Sequence, residues 1–162
     1  MINFKQFITE NEVTWNADKI AKEHLYIKDG QKYTNGGVDL YKMGITELPD
    51  LSDTIVTEDF ICASNNLLSL KGSPMQVNGK YFCYNNHKLT SLEGCPKYIG
   101  GDFDCCATAI ESLDGAPDYI GGEFQCDNIT DAEYKRWNAV RRMKKSLDPE
   151  TEDLFSGMID TL

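Results

Sequence analysis

The sequence predicts an α+β repeat solenoid, a parallel β-sheet of short strands capped by an N-terminal helix and hairpin and by a C-terminal helix. The first observation behind it is an aromatic-x-Cys triplet that occurs four times. The copies are Phe60-Ile61-Cys62, Tyr81-Phe82-Cys83, Phe103-Asp104-Cys105 and Phe124-Gln125-Cys126, at intervals of 21, 22 and 21 residues. A degenerate fifth copy, Val38-Asp39-Leu40, lies 22 residues upstream. The second observation is that each triplet is followed by the same apolar and turn positions. After Cys62 come Asn65, Leu67, Leu70, Gly72, Pro74, Val77 and Gly79; after Cys105 come Thr108, Ile110, Leu113, Gly115, Pro117, Ile120 and Gly122. A repeat of this period stacks units that bury their apolar edges only against their neighbours. The third observation is apolar spacing of helical type on both flanks of the repeats.

Taken in order, residues 1 to 24 read as helical, with Phe4, Phe7 and Ile8 in one stripe and Ile20, Ala21 and Leu25 in another. Residues 1–10 form a separate leading segment, and 11–37 an N-terminal cap of helix plus hairpin. Leu25 to Lys28 and Gln31 to Tyr33 flank Asp29-Gly30, a tight-turn signal. The repeats fill 38–129. In each, the aromatic and Cys alternate onto one side of a short strand, the Asn amide bonds the turning backbone, and Pro and Gly shape the return segment. Residues 130–162 are the C-terminal helix and an acidic tail. Thr130-Asp-Ala-Glu133 is a capping box, and Tyr134, Trp137, Val140, Met143 and Leu147 are spaced to cover the last repeat. The basic residues of this helix read as a solvated face, with a patch for an anionic partner as the alternative.

The pattern resembles the leucine-rich repeat, L-x-L-x-x-N-x-L-x-x-L, with an aromatic and a Cys in the first two Leu slots. At 162 residues the chain is one domain that buries roughly 70% of its unfolded surface. Its net charge is −10: residues 1–129 carry −9, residues 130–147 carry +4 and the tail adds five acids. So acidic a body argues against direct nucleic-acid binding, which needs Lys and Arg at phosphates. Mimicry of nucleic acid towards a basic partner stays open, beside plain solubility. No apolar run reaches membrane length. Cys62, Cys83, Cys105 and Cys126 share one slot, a buried ladder of free thiols suited to a reducing cytosol. With the ladder thiols a full repeat apart and no C-x-x-C, no metal site is expected.

Two strings carry a closer resemblance. Leu89-Thr-Ser-Leu-Glu-Gly-Cys-Pro-Lys-Tyr-Ile-Gly-Gly-Asp-Phe103 is similar to the repeat of small leucine-rich-repeat proteins of tailed bacteriophages, as are the Asp29-Gly30 hairpin and the terminal Cys-Asp-Asn-Ile-Thr-Asp-Ala-Glu-Tyr. Met1-Ile-Asn-Phe-Lys-Gln-Phe-Ile-Thr-Glu10 resembles the capsid-targeting segment of internal head proteins of T-even-like phages. In that family a prohead protease cuts after the Glu of I-x-E, which implies cleavage between Glu10 and Asn11 here. The competing reading of these ten residues is an ordinary amphipathic first helix. The resemblance implies a protein at work in the host bacterial cytoplasm, carried in the virion head before injection, and some relatives blunt host restriction.

For chemistry the sequence offers little. It has no phosphate-binding loop, nucleophile elbow, zinc-protease motif or dinucleotide fingerprint. His87 follows Cys83 by four residues, but a ladder thiol is a poor nucleophile. Cys106 alternates outward beside Asp102 and Asp104, which disfavour its thiolate. No enzyme activity, cofactor or small-molecule substrate is expected. Alternation places the residues between the ladder positions on the concave face of the sheet: Asp39, Tyr41, Asp59, Ile61, Ala63, Lys80, Phe82, Tyr84, Asp102, Asp104, Cys106, Glu123, Gln125 and Asp127. Tyr41, Ile61, Phe82 and Tyr84 make an apolar centre. Asp59, Asp102, Asp104, Glu123, Gln125 and Asp127 make its polar rim. Such a patch suits a host protein with a basic surface, and a cap or the hairpin folding over it is the alternative.

Overall fold

The computed structural model describes residues 2–3 and 25–147, and the chain divides into two compact units, residues 1–129 and 130–162. The expected helices at 4–24, the cleavage position Glu10/Asn11 and the acidic tail lie outside the described residues. The first unit is a β-solenoid of about four turns with parallel sheets.

Successive repeats place five two-residue strands in a first sheet: β4 (Val38–Asp39), β6 (Phe60–Ile61), β8 (Tyr81–Phe82), β10 (Phe103–Asp104) and β12 (Phe124–Gln125). They pair parallel in strict register, Val38 with Phe60, Tyr81, Phe103 and Phe124 in succession. Ile2–Asn3 forms β1 and adds to the edge of this sheet by pairing with Val38–Asp39. The helical reading therefore fails at residues 2 and 3, where the open edge of β4 supplies an extended hydrogen-bonding template.

A second sheet, absent from the sequence reading, runs beside the first. It holds the hairpin strands β2 (Leu25–Lys28) and β3 (Gln31–Thr34), then β5 (Thr54–Val56), β7 (Gln76–Val77), β9 (Tyr98–Ile99) and β11 (Tyr119–Ile120). The return segment, to which the sequence reading assigned no strand, is thus a strand in every turn. The hairpin turns through Asp29 and Gly30, both left-handed (φ 51° and 81°), as a type I′ turn requires. Its second strand pairs parallel with Thr54–Ile55, so the hairpin is the first rung of this sheet.

The core between the sheets repeats slot by slot. Phe60, Tyr81 and Phe103 are fully buried, and their rings pack in series with centroids 5.2 and 5.7 Å apart. Cys62, Cys83 and Cys105 lie beside them, fully buried, as the ladder reading requires. Ile45, Leu67, Leu89 and Ile110 fill a third column; Leu48, Leu70, Leu92 and Leu113 fill a fourth. Where Tyr81 replaces Phe in the ladder, its hydroxyl lies 2.9 Å from Ser73 Oγ, which satisfies the added polar group. The Asn corner forms as expected. Asn86 Nδ2 donates to the carbonyls of Cys62 (3.1 Å) and Cys83 (2.9 Å), and its Oδ1 accepts from Leu67 N–H (3.1 Å). One side chain thereby joins two turns.

The second unit, described through Leu147, holds helix α1 (Asp131–Leu147). Thr130 Oγ1 accepts from Glu133 N–H at 3.2 Å, closing the N-terminal cap. The expected apolar stripe is not buried as a whole: Trp137 is sheltered, but Tyr134, Val140 and Met143 are 44%, 44% and 64% exposed. The Arg141 guanidinium sits 4.5 Å over the Trp137 ring, a cation–π contact, and the Tyr134 ring lies 5.8 Å from it.

Candidate interaction face

In two-residue strands, the residue after each ladder aromatic must point away from the core. The register therefore lines up Asp39, Ile61, Phe82, Asp104 and Gln125 across the outer side of the first sheet. The burial pattern agrees: Phe60, Tyr81 and Phe103 are buried, whereas Ile61, Phe82 and Asp104 are half-buried and Gln125 is exposed. Tyr41 and Tyr84 are also half-buried. One residue departs from the reading. Ala63 is fully buried, unlike Tyr41 and Tyr84, which hold the same slot in the neighbouring turns and are half-buried.

At the centre of this face the rings of Phe82 and Tyr84 meet at 6.0 Å between centroids. Burial first, then the negative charges of Tyr41 and Asp104, raises the Tyr84 hydroxyl above its ordinary value. Tyr41 is lowered instead, by hydrogen bonds from Lys42 and Ser64. Lys42 Nζ also lies 5.0 Å over the Tyr41 ring.

The rim acids have a role that residue type alone does not disclose: they tie neighbouring turns together. Asp59 Oδ1 accepts from Lys80 N–H at 2.8 Å, Asp102 Oδ1 from Glu123 N–H at 3.0 Å, and Asp127 Oδ2 from Ala107 N–H at 2.8 Å. Asp104 Oδ1 accepts from Cys106 N–H within its own turn, at 2.8 Å. Hydrogen bonds to the ionised form hold Asp127 below the usual carboxylate range, with Ala107 N–H the main cause. Asp102 is lowered chiefly by Lys80, whose Nζ lies 2.8 Å away. These carboxylates are fixed in place, each with one oxygen spent on the backbone. Glu123, Gln125 and Asp127 are exposed at the last turn.

Lys80 was not among the candidate site residues, although it stands in the row of Asp59, Asp102 and Glu123. Its ammonium pairs with Asp102 and lies 5.8 Å from the Phe82 ring centroid, so the apolar centre carries this cation as well as Lys42 over Tyr41. Cys106 is half-buried, and burial together with Asp104 and Asp127 pushes its thiol up to about 12. Cys83 is fully buried while His87 is exposed, so these two do not make a nucleophile pair. Among the described residues no group of three or more His, Cys, Asp or Glu is arranged to hold a metal ion. No described helix is long and apolar enough to cross a membrane.

No family model, curated protein or solved structure matches this chain.

Proposed function

We propose that this chain is a leucine-rich-repeat binding module of a tailed, T-even-like bacteriophage, which occludes a host protein in the bacterial cytoplasm. The partner is a defence or restriction component with a basic surface. The observation that carries the reading is the half-buried Phe82–Tyr84 pair, flanked by Tyr41 and Ile61 and framed by backbone-fixed carboxylates. Rigid aromatics lose little entropy on docking and supply the contact area. Acids already held in place steer a cationic surface without further ordering. The leucine-rich type is supported by the Ile45/Leu67/Leu89/Ile110 and Leu48/Leu70/Leu92/Leu113 columns and by the buried Asn65 and Asn86 corners.

The test begins with capture from host lysate on tagged residues 11–162, followed by binding of the purified partner. Phe82→Ala with Tyr84→Ala is expected to weaken that affinity by at least about 30-fold, and raised salt is expected to slow association. A folded double variant that binds like the parent would remove the face from consideration. A second reading, a packaged head protein without inhibitory action, is favoured by the Met1–Glu10 string alone. Mass spectrometry of virions showing the chain beginning at Asn11 would support packaging. A blank lysate capture beside that result would favour this second reading.

A further inference from the structure

The thiol ladder has one end unlike the rest. Cys62, Cys83 and Cys105 are fully buried, and Cys126 is half-buried. The pairing of Phe103 with Phe124 and Asp104 with Gln125 runs on to Cys105 and Cys126, because Cys105 N–H donates to Gln125 O at 2.9 Å. The two side chains therefore leave neighbouring strands about 4.8 Å apart on the same side. Cys105 Sγ lies 3.4 Å from Gln125 O, and Cys126 Sγ lies 3.9 Å from Cys105 O. Each thiol thus reaches back towards the other's strand.

We propose that Cys126 and Cys105 are a peroxide-oxidised thiol pair that closes into a disulfide between the last two turns of the first sheet. The Cys126 thiolate attacks one oxygen of a hydroperoxide. The O–O bond breaks, the alcohol or water leaves, and Cys126 becomes a sulfenic acid. Cys105 sulfur then attacks Cys126 sulfur. The S–S bond forms and the hydroxyl leaves as water with the Cys105 proton. Two thiols lose two electrons and two protons; the peroxide gains both.

Three observations select this pair. A peroxide reaches Cys126 first, since the other ladder thiols are closed to solvent. A disulfide needs its Cβ atoms about 3.8 Å apart, so one strand must move by about 1 Å. β12 ends its sheet and is held by a neighbour on one side, whereas β8 is bonded on both sides, which locks Cys83 against Cys62 and Cys105. A hydrogen bond from Cys105 also holds the Cys126 thiol below its ordinary value, while Cys106 stays protonated between Asp104 and Asp127.

The test treats the reduced full chain with hydrogen peroxide, blocks free thiols, and maps the products by mass spectrometry without reductant. Cleavage after Glu111 and Glu123 puts Cys105 and Cys126 on separate peptides. The expected product is a Cys105–Cys126 cross-link that dithiothreitol reverses. Cys106→Ser is expected to form it within about twofold of the parent rate, and Cys126→Ser to slow thiol loss at Cys105 more than about tenfold. A link through Cys106, a link between two chains, sulfinic acid at Cys126 without a link, or no thiol loss from the folded parent would each overturn the proposal. The parent map needs no substitution, so a variant that fails to fold does not decide the outcome.

Discussion

The two sheets of the solenoid are built from the same repeat but use their strands differently. In the first sheet one column is core and the other faces outward, half-buried at Ile61, Phe82 and Asp104. In the second sheet both columns are buried over the middle turns: Ile55 with Val56, Gln76 with Val77, Tyr98 with Ile99. The first sheet can therefore carry a recognition surface, and the second is structural on both sides. Their corners differ as well. The chain leaves the first sheet through left-handed Lys42, Ser64, Asn85 and Ala107, and approaches the second through left-handed Gly72, Gly94 and Gly115.

The largest effect should come from the corner that leads to the second sheet. A Cβ at Gly94 would sit 2.9 Å from the Leu70 carbonyl, in a backbone conformation (φ +88°) that L-residues avoid. Gly94→Ala is expected to cost about 3–5 kcal/mol in denaturant unfolding. A cost under about 1 kcal/mol would show that the turns are less tightly stacked than described. Next is a direct contest between the sheets. Ile99→Ala should cost about 3 kcal/mol and Ile61→Ala under about 1, because the first empties a closed core and the second trims an open face. Equal costs would break the comparison. Asn86→Ala removes bonds to two turns and leaves the Cys62 and Cys83 carbonyls without it, an expected loss of about 2 kcal/mol by chemical denaturation.

Two smaller effects sharpen the picture of the first sheet. Ala107 is left-handed (φ 52°), so Ala107→Gly is expected to raise stability by up to about 1 kcal/mol, read as a higher urea midpoint. Asp102 is depressed in the folded state by Lys80 and Glu123 N–H. Its contribution is therefore complete above the unfolded carboxylate value and is lost as pH falls through the lower folded one. Asp102→Asn should flatten the acid limb of a stability–pH curve on the acid side of pH 4 or so. Parallel curves for parent and variant would mean that the ion pair contributes nothing.

Sequence alone revealed the first sheet because its strands alternate: a buried ring, an outward residue, a buried thiol. The second sheet escaped for the opposite reason. Ile55-Val56, Gln76-Val77 and Tyr98-Ile99 show no alternation between buried and exposed positions, since a strand buried on both faces has no outward column to mark its period. Beside Gly-Gly pairs such two-residue runs read as loop. The candidate face was legible in outline through the same alternation, but the full burial of Ala63 was not, because it depends on the residues around it rather than on its own strand position. The double duty of Asp59, Asp102 and Asp127 was not legible, because their partners are backbone amides 20 or 21 residues away.

The sequence by itself determined the period, the residues of the inner ladder, the Asn corner and the hairpin turn. Each of these follows from side-chain volume, alternation or a left-handed dipeptide, which are local properties repeated in register. Only the tertiary structure decided the second sheet, the use of the acids as ties between turns, the cation over Phe82 and the half-open thiol at Cys126. Those depend on which backbone lies about 4.8 Å above or below a given residue, and stacking alone sets that distance.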